Sequence, residues 1–284
     1  MRVGVVGAGK VGLTLARLML REGIEVRVVD VNEDALVKAT SLGIPRATTL
    51  EEVVAWGDHV MVSVPPKEIP RVLAEVRELV VGEGLEGRVI YDTSTFKEGV
   101  MREYATFPRD VKVASIHPMF GAGMRDPSKH VVAIVPVPGR DDDASPVEEL
   151  FRSLGFRVVR VSVEEHDDAV ATYVGLSYVV ATSLAATLAK RGPPLTGELS
   201  GTTFKLLLTH CAAVMSDDPG FIEYVVSEGR VRERAAQLLE SLASLLEGSL
   251  SVGSVVRLFR GMVGEGFIRE AYLKLYDVVE GLTD

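Results

Sequence analysis

A chain that opens with Val3-Gly4-Val5-Val6, turns through Gly7-Ala8-Gly9-Lys10-Val11-Gly12, and resumes as Ile24-Glu25-Val26-Arg27-Val28-Val29-Asp30 has few folds open to it. The first run is a short buried strand, and Leu13, Leu15, Leu18 and Leu20 give the segment after the turn a helical pattern. A second strand and an acid close the unit. Each glycine has its own task in such a turn. Gly7 permits the tight bend, Gly9 lets a phosphate approach the backbone, and Gly12 lets the helix pack closely on the strand. The helix N-terminus adds N–H donors and a positive dipole. Gly7, Ala8, Gly9, Lys10, Val11 and Gly12 are therefore expected to hold a dinucleotide pyrophosphate, with Asp30 accepting both ribose hydroxyls. A carboxylate at Asp30 repels a 2′-phosphate and so favours NAD, while Lys10 beside the phosphates keeps NADP open.

The alternation continues. Helices are expected near Asn32–Leu42 and Leu50–Ala55, then a strand at His59–Val64 ending in Pro65-Pro66, a helix to about Val80 and a strand at Arg88–Asp92. Val64 and Pro65 match the turn that flanks the adenine and ribose in many such domains, and join the cofactor-binding set. After Thr93-Ser94-Thr95-Phe96-Lys97 come a helix to about Tyr104 and strands at Val111–Ile116, Val131–Val135 and Arg157–Val161. From Glu164 onward the pattern is helical, over Glu165–Lys190, Thr203–Met215, Gly229–Leu246, Val252–Gly261 and Phe267–Gly281, with Gly192-Pro193-Pro194 and Asp218-Pro219-Gly220 as punctuation. The expected architecture is α/β. A Rossmann-type doubly wound parallel sheet over residues 1–162 precedes an all-helical substrate and dimerisation domain over 163–284.

Charge narrows the partners. With 31 Lys+Arg against 40 Asp+Glu, the net charge of −9 argues against nucleic acid held by bulk electrostatics, and an anionic substrate needs a local basic pocket. One cysteine, Cys211, excludes an internal disulfide and fits a reducing compartment. The N-terminus enters a strand without a signal-peptide pattern, so a cytoplasmic protein is expected. Val170–Ala189 carries no charge across twenty residues, but its Ala, Ser, Thr and Gly content fits a helix buried on most sides at a domain or subunit interface better than a membrane span. A homodimer through the helical domain is the economical expectation. His59, His130 and His210 show no ligand spacing with one another or with Cys211, so no metal is expected.

Val111–Ile116 runs into His117-Pro118-Met119-Phe120-Gly121-Ala122-Gly123. A histidine there sits at the carboxyl end of a strand, where parallel sheets bind their ligands. Pro118 lacks an N–H, so the strand is expected to stop at His117.

Four features together resemble the prephenate/arogenate dehydrogenase family of tyrosine biosynthesis. They are the glycine turn with Asp30, Asp92-x-x-Thr95-x-Lys97, His117-Pro118-Met119-x-Gly121, and Glu165-His166-Asp167 at the start of the helical part. The resemblance implies oxidative decarboxylation of a cyclohexadienol that carries a ring carboxylate, with hydride passing to nicotinamide and His117 as the base. A neutral imidazole near pH 7 suits that role. Thr95 falls where the family has serine and is expected to bond the substrate hydroxyl or orient His117, with Ser94 sharing the work. The alternative for Ser94 and Thr95 is capping the helix after Lys97. His166-Asp167 reads as an exposed pair at a helix start.

The substrate half departs from the family. A second histidine, twelve residues past the first, is replaced by Tyr178, and the carboxylate-binding arginine lines up with Ala213. Tyr178, Lys205, His210 and Gly121 are the candidates left for substrate contacts. Two further readings stay open. One is a 3-hydroxyacid-type dehydrogenase using Lys205, in Gly201-Thr202-Thr203-Phe204-Lys205, and the other is a non-catalytic NAD-binding regulatory protein.

Overall fold

The computed structural model describes residues 1–190 and 201–281. Gly192-Pro193-Pro194 lies outside the described residues. The chain divides into two compact units, Met1–Ala169 and Val170–Asp284.

In the first unit β1 (Arg2–Val6), α1 (Lys10–Arg21), β2 (Glu25–Val29), α2 (Glu33–Ser41), α3 (Leu50–Trp56), β3 (His59–Val62), α4 (Ile69–Gly82), β4 (Val89–Asp92), α5 (Glu98–Tyr104) and β5 (Lys112–Pro118) follow one another. Then come β6 (Val131–Pro136), α6 (Ser145–Ser153), β7 (Arg157–Arg160) and α7 (Val163–Val170). The seven strands form one sheet in the order β2-β1-β3-β4-β5-β6-β7. Side chains alternate across it. Val3, Val5, Met61, Tyr91, Ala114 and Ile116 pack with α1, α2 and α6, whereas Val60, Val62, Ile90 and Val113 pack with α3, α4 and α5. Helices on both faces make the unit doubly wound, and the chain order reverses between β1 and β3.

All strand pairs are parallel except β5 with β6. That pair corrects the expected end of β5. Pro118 stands opposite Val132, and Met119 N–H donates to Val131 O at 3.0 Å. Pro118 therefore occupies a non-hydrogen-bonded position of an antiparallel ladder, where no donor is required. The first unit also ends at Ala169 rather than at 162, because α7 is tied to it through Asp167, which accepts from the backbone of Lys97 and Glu98.

The second unit begins with a π-helical turn, Ala171–Gly175, and continues as α8 (Leu176–Ala189), α9 (Thr202–Met215), α10 (Pro219–Ser227), α11 (Gly229–Leu246), α12 (Val252–Val263) and α13 (Glu265–Glu280). Gly175 is needed at the π turn, since a Cβ there falls 2.5 Å from Val231 Cγ2. Asp218-Pro219-Gly220 marks the break between α9 and α10. Asp218 accepts from the N–H groups of Gly220 and Phe221, with Pro219 in the first turn, so it caps α10. The helical run Val163–Ala189 is long and apolar enough to cross a membrane by length and composition alone. Within the single chain Val170, Ala171, Gly175 and Ala181 are the buried residues of Val170–Ala189.

The nucleotide cradle and a buried histidine pair

The glycine turn between β1 and α1 lies at the topological switch point, against the end of β3. Gly7 has φ +106, and a Cβ on it would fall 2.3 Å from Ser63 O. A Cβ on Gly12 would meet Gly7 O at 2.4 Å. At Gly9 the nearest atom, Ser63 O, is 4.0 Å away, so this backbone is bare on the side a phosphate needs. Gly9 caps α1 without a side-chain hydrogen bond, and the first turn carries no acid. A helix start of this kind offers backbone N–H donors and a positive dipole to an anion. Asp30 steadies the turn, accepting from Ala8 N–H at 2.6 Å and Asn32 N–H at 2.8 Å. Val64 is half-buried and Pro65 exposed at the neighbouring β3 end. The residues present fit a dinucleotide.

Two strands further along, β4 and β5 end beside one another, and their ends are locked by Lys97. Its side chain is fully buried, and Nζ donates to Ser94 O and to Ile116 O, each at 2.5 Å, and to Ser94 Oγ at 3.3 Å. Burial pulls the ammonium down to about 8, against the opposing pull of Asp92 and Asp167. Asp92 beneath it accepts from Ser94 N–H and from the Tyr104 hydroxyl. Burial, and then Asp92, push Tyr104 well above its ordinary value, so it remains a phenol that donates.

His117 follows the anchored Ile116. Its Nδ1 lies 3.1 Å from His166 Nε2, and His166 Nδ1 lies 2.7 Å from Asp167 Oδ1. Asp167 accepts further from Lys97 N–H at 2.9 and 3.0 Å and from Glu98 N–H at 3.0 Å, and so caps α5. Burial first, then the Lys97 charge and His166, hold His117 well below the usual histidine range. His166 is also lowered, mainly by burial and against the hydrogen bond it donates to Asp167. Burial raises Asp167, but hydrogen bonds from His166, Glu98 and Lys97 outweigh it and hold the carboxyl low. His117 Nε2 is not among the sealed polar atoms that lack a partner.

These contacts revise three expectations. His166 and Asp167 are not an exposed pair, being 3% and 2% exposed, because the inward face of α7 carries them onto α5 and β5. Ser94 and Thr95 do not cap α5, because Asp167 occupies its N-terminus from seventy residues away. Thr95 is buried, but the atom that holds His117 is His166 Nε2. The sequence signal for His166 and Asp167 was present in Glu165-His166-Asp167, and for Lys97 in the spacing from Asp92. Gly121 is exposed in the loop after β5.

Within the second unit, the Tyr178 hydroxyl donates to Asp217 at 2.6 Å, and burial with this acid raises its ordinary value. His210 Nε2 lies 3.2 Å from Ser177 O, which joins α9 to α8. Lys205 is exposed on α9. Tyr178 and His210 are thus already engaged, and Lys205 is the candidate with its charge in solvent.

A glycine cradle at the switch point of a doubly wound sheet, in a chain that continues into a helical unit, defines a dinucleotide-binding protein built like the two-unit dehydrogenases. The family model of the prephenate dehydrogenase nucleotide-binding domain matches residues 15–158, and the chain belongs to that family. No curated protein matches it by sequence. Among solved structures it is similar to prephenate dehydrogenase from Aquifex aeolicus in complex with hydroxyphenyl propionate and NAD+, at 21% identity and TM-score 0.72 over 100% of this chain and 98% of the other. It is similar to Synechocystis arogenate dehydrogenase at 17% identity and TM-score 0.60, over 96% and 100% of the two chains. A (S)-3-hydroxybutyryl-CoA dehydrogenase from Ralstonia eutropha matches at 17% identity and TM-score 0.54, over 86% and 93%.

Proposed function

We propose that the protein is an NAD-dependent dehydrogenase of the prephenate/arogenate type, with His117 as the base. The observation that carries this reading is the His117 imidazole, set at the carboxyl end of β5 with Nδ1 engaged by His166 and Nε2 left for a substrate. Bound NAD supplies the hydride acceptor. Gly7 through Gly12 hold its pyrophosphate and Asp30 its ribose hydroxyls, with NADP disfavoured by the Asp30 charge.

His117 Nε2 accepts the proton of the substrate hydroxyl as the carbinol becomes a carbonyl. The bond to the ring carboxylate then breaks, carbon dioxide leaves, and its electron pair makes the ring aromatic. The oxygen that gave its proton becomes a phenolate and takes a proton back from His117. Counted over the whole reaction the base neither gains nor loses a proton. The lowered affinity of His117 for protons suits an acceptor that must return what it takes. Thr95, Ser94 and Gly121 line the approach in this reading.

The 3-hydroxyacid reading needs Lys205 as the acid/base. Lys205 is exposed on α9, which weighs against that role. We assign the protein to a reducing, cytoplasmic setting, which the single buried Cys211 fits, and to a homodimer through the second unit. Leu239, Leu246, Leu258, Met262 and Leu273 are exposed there, more apolar surface than a monomer usually leaves in water. Sedimentation at micromolar concentration tests the dimer, and a single monomer species argues against it. The activity is tested by offering prephenate and arogenate separately, with NAD and with NADP, and following nicotinamide reduction. Turnover of 3-hydroxyacids alone would transfer the assignment to Lys205, and tight NAD binding without any turnover would support a regulatory protein.

A further inference from the structure

We propose that His166 is the proton-holding partner of His117, so that the line His117–His166–Asp167 fixes which nitrogen faces the substrate and carries the transferred proton between the two rings. The inference rests on the reading of His117 as the base.

Hydrogen-bond chemistry leaves one arrangement of protons. Asp167 accepts from two backbone N–H groups, Lys97 and Glu98, and stands 2.7 Å from His166 Nδ1. An ionised carboxylate has nothing to donate, so the proton between them belongs to His166 Nδ1. A neutral imidazole carries one proton, so His166 Nε2 is bare and accepts. His117 Nδ1, 3.1 Å away, must then be the donor. The remaining lone pair of His117 is on Nε2. The line therefore presents a base rather than an N–H to the substrate, and it does so through a carboxylate that is itself anchored to the N-terminus of α5.

The surroundings also decide where a positive charge is better placed. The charged groups acting on the two rings are Lys97, Asp92 and Asp167, all on the β4–α5 side or on α7. His117 has the Lys97 ammonium and the His166 ring as its titratable neighbours and no carboxylate in contact. His166 has the Asp167 carboxylate in contact. As the substrate O–H bond breaks and its proton joins His117 Nε2, the Nδ1 proton of His117 passes to His166 Nε2. The pair has gained one proton, and the charge rests on the ring bonded to the acid. On aromatisation both transfers reverse. The phenolate takes the proton from Nε2, His117 Nδ1 recovers its own from His166, and nothing is consumed. His166 touches no substrate atom in this scheme and is a positioning residue.

Two measurements on the full chain test it. In His166→Gln the amide oxygen still accepts from His117 Nδ1–H but cannot hold a proton. Its kcat should fall about 10²-fold or more with KM nearly unchanged. The acid limb of the kcat profile should move to lower pH, because His117 alone binds the proton more weakly. Wild-type kcat with an unmoved acid limb overturns the relay. The second measurement, the nitrogen-15 resonances of the histidines in the wild-type protein, depends on no variant folding and on no turnover. Both His117 and His166 should be protonated at Nδ1 and bare at Nε2. The reverse form at either ring overturns the proposal, even where the wild type oxidises its substrate. If the wild type turns over neither prephenate nor arogenate, the reading of the reaction fails, and the nitrogen resonances still decide the proton line on their own.

Discussion

Asp167 caps the helix that begins at Glu98, sixty-nine residues before it, by accepting the backbone N–H groups of Lys97 and Glu98 while its Oδ1 faces His166. One carboxylate thereby ends a helix, fixes an imidazole and ties α7 to the sheet.

Removing it should be costly in stability as well as in activity. Asp167→Ala leaves the buried Lys97 N–H and a histidine nitrogen unpaired, a loss of about 1–3 kcal/mol for each group stranded. The midpoint of urea unfolding should fall well beyond the change produced by a surface control such as Glu103→Ala. Equal midpoints would mean that water replaces the cap at no expense.

Acid should weaken the native state from near neutrality downward. The folded protein holds His117 and His166 below the ordinary histidine value, and His59 down to about 4, mainly by burial in each case. Between about pH 6.5 and those lowered values the unfolded chain binds more protons, so stability falls as pH falls through this window. Asp167 adds a second loss below about pH 4, where its depressed carboxyl is finally protonated. His59 packs edge-on against Tyr91 and its Nδ1 has no partner, so His59→Phe should flatten the upper part of the acid limb. Stability measured by denaturant across pH 4 to 7 reads both effects, and a flat profile in the wild type contradicts the burial of the three rings.

The glycines of the turn should separate fold from binding. Gly9→Ala places a methyl in open space and should leave the thermal midpoint within a degree or two, yet lower NADH affinity tenfold or more by blocking the phosphate. Gly12→Ala forces a methyl against Gly7 O and should lose stability together with binding. Fluorescence titration with NADH distinguishes the two, and undiminished affinity in Gly9→Ala would remove the cradle from this turn.

Gly175 tests the π turn. A methyl there meets Val231 Cγ2, so Gly175→Ala should cost about 1–3 kcal/mol, with Val231→Ala restoring most of it in the double variant. Simple addition of the two losses would show that Val231 already has room to give way.

Much of the first unit was legible because its rules are local. Glycine freedom at Gly7, close packing at Gly12 and alternating apolar residues in β1 to β5 all act over a few positions. His117 was legible for the same reason, as a polar residue ending an apolar strand. The cap of α5 was not, because Ser94 and Thr95 offer a plausible local cap and nothing local reveals that Asp167 arrives from α7. Strand direction was equally hidden. The period of two in Val131–Pro136 is the same whether β6 runs with β5 or against it, so the tolerance of Pro118 within the ladder could not be seen. In the second unit Asp218-Pro219-Gly220 is legible as a break, but that Asp218 also caps a further helix with proline in its first turn was not. The inward face of α7 was missed because Glu164, Glu165 and Asp168 make its surroundings look like a solvated helix start.

The most direct test of the account is nicotinamide reduction by the wild type and by His117→Asn, with prephenate and with arogenate, beside NADH titration of both proteins. The account predicts that the wild type oxidises at least one of the two. It predicts that His117→Asn loses about 10²–10⁴ in kcat, and that NADH binds both alike. Wild-type turnover in His117→Asn, or its survival there with loss in Lys205→Ala, would contradict the account.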